Sequence, residues 1–233
     1  MATTESHEER INKLLALRLG IARREADELI AKKRVQVDGK PAALGQRIHD
    51  NSRVTVDGKP LETSTVLTYL ALHKPAGYVC SRRRQGDTPT IYELLPERYH
   101  NLKLVGRLDK DSSGIILLTN DGDFAHQMTH PKFHKIKLYE VELDIPLQPL
   151  HRQMISDFGV ILEDGKSQFQ LERLHEGDDH AWRITMSEGR NRQIRRTFAS
   201  LGYAVAKLHR TQFGPYRLDQ LSEGATATVD HQT

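Results

Sequence analysis

The sequence predicts an α+β fold. A small N-terminal helix-helix-strand module precedes a larger domain in which helices flank a mixed, largely antiparallel sheet. Three observations predict it. First, Arg34-Val-Gln-Val-Asp-Gly-Lys-Pro41 returns almost unchanged as Arg53-Val-Thr-Val-Asp-Gly-Lys-Pro60, and each copy alternates apolar and polar residues into the hairpin signal Asp-Gly. Second, beyond Thr68 strand-like and helix-like stretches interleave irregularly with short connections, unlike the regular alternation of a doubly wound parallel sheet. Third, the chain has neither a glycine-rich phosphate loop nor a dinucleotide fingerprint.

In chain order, residues 10–33 read as two short helices. Ile11, Leu14, Leu15 and Arg18 follow helical spacing up to Gly20, a stop signal, and Ala26, Leu29 and Ile30 form the second stripe. Two near-copies are too few for a solenoid, so they read as strands of one small sheet packed on the helices. The module spans 9–60, residues 61–66 read as a linker, and 67–233 form the second domain. There, Tyr69–Pro75, Ile115–Thr119, Lys137–Leu143 and Ala181–Met186 read as strands. Helical stretches lie near Thr90–Leu95, Asp123–Met128, Pro149–Phe158 and Arg192–Leu201.

Composition excludes several classes. The single cysteine, Cys80, forbids an internal disulfide and fits a reducing cytoplasm. The start, Met-Ala-Thr-Thr-Glu-Ser-His-Glu-Glu, has no apolar core and is no signal peptide. No apolar run approaches membrane-spanning length, so no membrane partner is expected. The net charge of +3 is unevenly spread: Arg10–Lys40 holds nine Lys/Arg against four acids, and Arg183–Arg210 holds seven against one, Glu188. Such stretches fit a polyanion as well as they fit solvated helix faces.

The most informative stretch is Leu104-Val-Gly-Arg-Leu-Asp109-Lys-Asp-Ser-Ser-Gly-Ile-Ile-Leu-Leu-Thr-Asn-Asp-Gly122, an aspartate after a Gly-Arg-Leu turn and just ahead of a buried-type strand. Arg107 and Asp109 alone could be a surface ion pair. A calcium loop fails because its twelfth position is Asn120 rather than a bidentate Glu. A glycosidase pair of Asp109 and Asp111 is disfavoured, since Asp111 reads as a turn former before Ser-Ser-Gly. His126, His130 and His134 are spaced by four, but Pro131 breaks a helix through them, Lys132 and Lys135 repel a cation, and no Cys or carboxylate completes a ligand set.

The N-terminal unit resembles the RNA-binding module of ribosomal protein S-four. Ala22 stands where that module usually has Ser or Thr, removing a cap worth roughly 1 kcal/mol. The second domain carries, in order, Lys74-Pro75-Ala76-Gly77, Gly106-Arg107-Leu108-Asp109, Leu118-Thr119-Asn120-Asp121-Gly122 and Glu188-Gly-Arg-Asn-Arg-Gln-Ile-Arg-Arg196. Together these resemble the RsuA-type pseudouridine synthases, which modify uridines in bacterial ribosomal RNA. The resemblance implies a cofactor-free isomerisation, a ribosomal RNA or subunit-precursor partner, and a cytoplasmic protein, a monomer by default.

It further implies residue roles. Asp109 is the nucleophile or electrostatic stabiliser at the glycosidic bond, and Tyr139 stacks on the base near the carbon 5 proton. Arg195 pairs with Asp109. A close guanidinium lowers a carboxylate pKa that desolvation would raise. Arg107 fills the space left by the flipped base, and Arg190, Arg192 and Arg196 suit phosphates. Ile194 and Leu208 pack against the uridine, and Leu138 stands where the family commonly has Thr. Arg10, Lys13, Arg23, Arg24, Lys32, Lys33 and Arg34 are the module's RNA contacts. Arg82-Arg83-Arg84 reads as a basic loop within reach of RNA. From pattern alone Tyr139 reads first as a core tyrosine with a bonded hydroxyl, and only the resemblance reverses that reading, while Ile194 and Leu208 are equally core. The form Gly189-Arg-Asn-Arg-Gln193 favours large-subunit RNA. The competing functions are a non-catalytic RNA-binding or ribosome-assembly protein, and a carboxylate hydrolase of ribosides.

Overall fold

A computed structural model describes residues 8–49, 51–62 and 66–232. Most of the leader-free start expected from sequence, and the middle of the expected linker, lie outside the described residues. The chain divides between Thr68 and Tyr69 into two compact units, with Asn120–Gly122 grouped with the first.

In the first unit, β1 (Glu8–Arg10) pairs with β4 (Arg47–His49), and helices α1 (Ile11–Arg18) and α2 (Arg23–Ala31) pack on a four-stranded sheet. That sheet is built from the repeat: β2 (Val35–Val37) turns into β3 (Lys40–Pro41), β5 (Val54–Val56) turns into β6 (Lys59–Pro60), and the order is β3-β2-β5-β6. Each turn puts two consecutive residues at positive φ, Asp38-Gly39 and Asp57-Gly58, as a type I′ hairpin requires. The copies exchange bonds: Arg34 pairs with Asp57, and the Arg53 amide donates to Asp38 Oδ1 at 2.8 Å. Ile11, Leu15, Ala26, Ile30, Val35, Val37, Ile48 and Val54 form the core. Ala22 is the N-cap of α2 and supplies no side-chain bond, as its chemistry dictates. The Glu25 carboxylate instead accepts from the Ala22 amide at 2.6 Å, half of a capping box.

The second unit is a nine-stranded mixed sheet. Its strands are β7 (Tyr69–Lys74), β8 (Lys103–Val105), β9 (Ser113–Thr119), β10 (Lys137–Leu143), β13 (Gln170–Arg173), β14 (Ala181–Met186), β15 (Val205–Phe213), β16 (Tyr216–Arg217) and β17 (Thr226–Thr228), and β11 (Val160–Leu162) with β12 (Gly165–Ser167) makes a separate hairpin. The main order is β13-β14-β10-β15-β9-β7-β17, and its one parallel pairing is β15 with β9. Strand β9 is apolar on both faces. Ile115 and Leu117 pack with Phe124 and Met128 of α3 (Gly122–Thr129), while Ile116 and Leu118 pack with Ile91 and Tyr92 on the other side.

Sequence reading found β7, β9, β10 and β14 but not β8, β13, β15, β16 or β17. The stretch near Thr90 shrinks to a 3₁₀ turn, Ile91–Leu94, because Pro96 disfavours helix at Leu95. Pro149–Phe158 is α4 (Pro149–Gln153) followed by a π-helical turn, and Arg192–Leu201 is α5 (Gln193–Ala199). Among the described residues no helix is long and apolar enough to cross a membrane.

Candidate active site

The site is built around residues 106–112, which connect β8 to β9. Strand β7 covers one edge of β9, and β8 and β15 share the other: Val105 lies opposite Leu117, whereas Ser113 and Gly114 lie opposite His209 and Arg210. The connection therefore emerges where β15 replaces β8 as neighbour. Gly114 permits this approach. Its φ is +113°, and a Cβ there would sit 2.2 Å from the Arg210 carbonyl oxygen, so no other residue fits.

Lys74 braces the loop from beneath. Its side chain is fully buried, and Nζ donates to the carbonyls of Ser112 (2.6 Å), Pro75 (2.9 Å) and Lys110 (3.4 Å). The Gly77 amide also donates to the Lys110 carbonyl at 2.7 Å, so the Lys74–Gly77 motif is the loop's buttress. Burial pulls the Lys74 pKa down, opposed by Cys80, Asp111 and Asp109. A second buried cation, Arg210, donates from Nε to the Ile115 carbonyl at 2.9 Å and lies 4.7 Å from the Phe213 ring and 6.0 Å from the Tyr139 ring. Its Nη2 is enclosed without a partner. Sequence reading gave neither cation a role. Lys74 did stand in the Lys74–Gly77 motif, whereas Arg210 lies in a strand whose other polar residues hide it.

Asp109 opens the turn that the Ser112 amide closes onto its carbonyl at 3.2 Å. Its side chain is 28% exposed, and Oδ2 lies 3.5 Å from Arg192 Nη1. Arg192 also grips both oxygens of Asp111, at 3.1 and 3.2 Å, and so bridges the two carboxylates. It occupies the left-handed N-cap of α5, with φ 45°.

Two expectations need correction here. The ion pair of Arg195 is with Asp111 (Nε to Oδ2, 3.4 Å), not Asp109. Its Nη2 donates to the Asp111 carbonyl at 3.0 Å and to Ser112 Oγ at 3.3 Å, and Nη1 to the Val205 carbonyl at 2.8 Å. The reason is position: Arg195 lies one turn inside α5, against the far limb of the loop, while Arg192 at its tip reaches Asp109. Asp111 is accordingly no mere turn former. Burial pushes its carboxyl up, but the Arg192 hydrogen bonds and the Arg195 and Arg192 charges together hold it below the usual carboxylate range. Burial lowers the Arg195 pKa, opposed by Asp111 and Asp109.

Leu108, beside Asp109, belongs to one buried cluster with Tyr139, Ile194 and Leu208. The structure thus gathers these expected base-packing residues under one wall of the loop. Tyr139 is 8% exposed, yet its hydroxyl makes no hydrogen bond among the described residues, unlike a satisfied core tyrosine. Arg107 is exposed and makes no hydrogen bond or ion pair among the described residues.

The remaining arginines are less free than expected. Arg190 and Arg196 both grip Asp164, at 2.7 and 2.6 Å, pinning the β11–β12 hairpin to α5 rather than standing open to phosphate. In the basic loop, Arg82 donates to the carbonyls of His100 and Leu102 at 2.7 Å, and Arg84 pairs with Glu93. In the first unit, Arg10, Arg24 and Lys33 are exposed, Arg23 donates to Asn12 at 3.1 Å, Lys32 lies 3.8 Å from Glu28, and Lys13 has a partner of its own. Among the described residues no cluster of His, Cys, Asp and Glu could hold a metal.

Comparison with known proteins shows the family of the chain. The profile of the RNA pseudouridylate synthase family matches residues 68–200, and the S4 domain profile matches residues 9–54. A ribosomal small subunit pseudouridine synthase A of Pasteurella multocida is 37% identical over 92% of this chain and 93% of its own. A ribosomal large subunit pseudouridine synthase B of Pseudomonas aeruginosa is 36% identical over 96% of this chain and 60% of its own. A crystal structure of a pseudouridylate synthase superposes with a TM-score of 0.67 at 33% identity, covering 95% of this chain and 96% of that one.

Proposed function

We propose that this chain, which belongs to the RNA pseudouridylate synthase family, isomerises a uridine of ribosomal RNA with Asp109 as its nucleophile. The observation that carries this reading is the setting of Asp109. It is a partly exposed carboxylate on a loop braced by buried Lys74, bridged by Arg192, and joined through Leu108 to an apolar floor of Tyr139, Ile194 and Leu208. A carboxylate held like this suits covalent catalysis without a cofactor.

In the reaction the bond from uracil N1 to ribose C1′ breaks, the base turns, and C5 bonds to C1′. C5 then gives up its proton, and N1 takes one. Asp109 holds the detached centre, through the sugar or the ring, while Tyr139 stacks beside the base. Arg192 shares its charge between Asp109 and Asp111, so substrate meets a carboxylate already oriented. Arg195 acts through Asp111 and the Ser112 hydroxyl, fixing the loop rather than touching Asp109. Arg107, exposed and without a hydrogen bond or ion pair among the described residues, holds the displaced backbone. The form of Gly189–Gln193 favours a target in large-subunit RNA.

Tritium release from ribosomal RNA labelled at uridine carbon 5 tests the reading. Wild type should release label and Asp109→Asn should not, while the variant still binds RNA. Normal turnover by Asp109→Asn would overturn the assignment. Separated small- and large-subunit RNAs decide the target, with release from the large-subunit RNA expected.

A further inference from the structure

The histidines spaced by four are left unused by the catalytic site, and the structure brings two of them, His126 and His130, together with Phe133. His126 and His130 lie with ring centroids 4.7 Å apart, and Phe133 lies 5.8 Å from His126 and 6.4 Å from His130. No two of these rings stack face to face, since their planes cross at 59° to 89°. All three residues are exposed, and Phe133 retains 37% of its surface although it is a large apolar ring. Lys132 Nζ sits 4.7 Å from the Phe133 centroid. From Ala125 to Leu138 there are three lysines and three histidines and no acid.

This segment borders the catalytic loop. A Cβ on Gly106 would meet Thr129 Cγ2 at 3.6 Å, so the end of α3 abuts the residue just before Arg107. The far end is tied down where the Gly214 amide donates to the Ile136 carbonyl at 2.7 Å. An exposed, anchored set of rings on an acid-free, lysine-bearing segment, whose Thr129 abuts Gly106 of the loop that carries Asp109, fits nucleic acid on both counts: ring faces for bases, ammonium groups for phosphates.

We propose that Phe133, with His126 and His130 as its neighbours and Lys132 and Lys135 as phosphate partners, is a stacking platform for an unpaired nucleotide flanking the target uridine. This rests on the reading of the chain as an RNA isomerase and extends its RNA footprint to a surface outside the catalytic cluster.

The test uses the full chain and two probes, a fluorescein-labelled oligouridylate and inorganic polyphosphate, which shares the charge but has no bases. Phe133→Leu keeps an apolar side chain and removes the ring. It should weaken oligouridylate binding by about tenfold, the usual worth of one stacked base, and leave polyphosphate binding unchanged. The KM for ribosomal RNA in tritium release should rise by the same factor. Replacing Lys132 and Lys135 with Ala should flatten the salt dependence of oligouridylate binding by about 0.7 per lysine. Oligouridylate affinity within about twofold of wild type in Phe133→Leu, or an equal loss on both probes, overturns the platform. Absence of tritium release from wild type would instead overturn the isomerase reading, and the binding arms would still decide the platform.

Discussion

Two regions of this molecule look alike in sequence and are used in opposite ways. Arg10–Lys40 and Arg183–Arg210 are both cation-rich and acid-poor. In the first, Arg10, Arg24, Lys32, Lys33 and Arg34 stay exposed, and such pairs as they form (Lys32 with Glu28, Arg34 with Asp57) lie at the surface. In the second, Arg190, Arg192, Arg195 and Arg196 close onto Asp164, Asp111 and backbone carbonyls, and Arg210 is buried outright. Clustered arginine is thus weak evidence for a nucleic-acid surface. A guanidinium presents five donors in a fixed fork, and a fold can use that fork to hold its own loops as readily as to hold phosphate.

The comparison breaks or sharpens with four measurements. The largest effect should follow Arg210→Ala. It leaves a cavity beside Phe213 and an unpaired Ile115 carbonyl, for a loss of about 3 kcal/mol in urea unfolding. Lys33→Ala should change stability by less than about 0.5 kcal/mol. An Arg210 variant of wild-type stability but weakened RNA binding would place that arginine with the outward set.

Next is Lys74→Met, which fills the space but leaves the Ser112 and Pro75 carbonyls without their donor. Relief from burying a charge offsets part of the cost, so stability should fall by only about 1–2 kcal/mol. Turnover should fall more, by about 100-fold, because the loop carrying Asp109 loses its brace. Equal kcat in wild type and variant would show that the loop holds its shape without Lys74.

A smaller effect separates Arg24→Gln from Arg196→Gln. The first should lower the salt dependence of ribosomal RNA binding by about 0.7, and the second should leave it unchanged, since Asp164 already neutralises Arg196. Identical slopes in both variants would erase the distinction between the two regions.

The smallest concerns Lys137, on β10 two residues before Tyr139. Its Nζ donates to the Ser187 carbonyl at 3.0 Å and the Lys135 carbonyl at 3.2 Å. Burial, aided by Arg210 and opposed by Glu188, brings its pKa down to about 8 from the ordinary 10.5 of a lysine. Between those values the unfolded chain holds a proton that the fold has released, so stability rises with pH across that window. Below about 8 the charge is present in both states and its burial counts against the fold. Urea unfolding on either side of the window should show wild type gaining relative to Lys137→Met as pH rises. Parallel pH profiles would contradict the buried ammonium.

What the sequence made legible was local or short in period. The Asp-Gly repeats carried their hairpins openly, and the run Ile115–Leu118 announced a strand buried on both faces. Strand β15 was missed because Lys207, His209 and Arg210 break its alternation, and a register shift opposite Leu138/Tyr139 turns its pattern over partway. At the site, Asp109, Tyr139, Ile194 and Leu208 were singled out by resemblance, and the structure puts the last three in one buried cluster with Leu108. The partner of Arg195 was not, because the choice between Asp109 and Asp111 depends on which limb of a turn faces a helix more than 80 residues further on. The Asp164 clasp was equally invisible: its two arginines lie 26 and 32 residues away, and no local pattern joins them.

The parallel pairing of β15 with β9 has a consequence for how the protein is made. Strand β15 sits between β10 and β9, yet both of those neighbours precede it in the chain. Until it emerges, the β7–β9 set and the β10–β14 set have no strand to join them, and Gly114 lacks the backbone it packs against. The first unit needs nothing beyond Leu61 for its own core. Synthesis therefore yields the first unit early and completes the packing around Gly114 only once β15 has emerged.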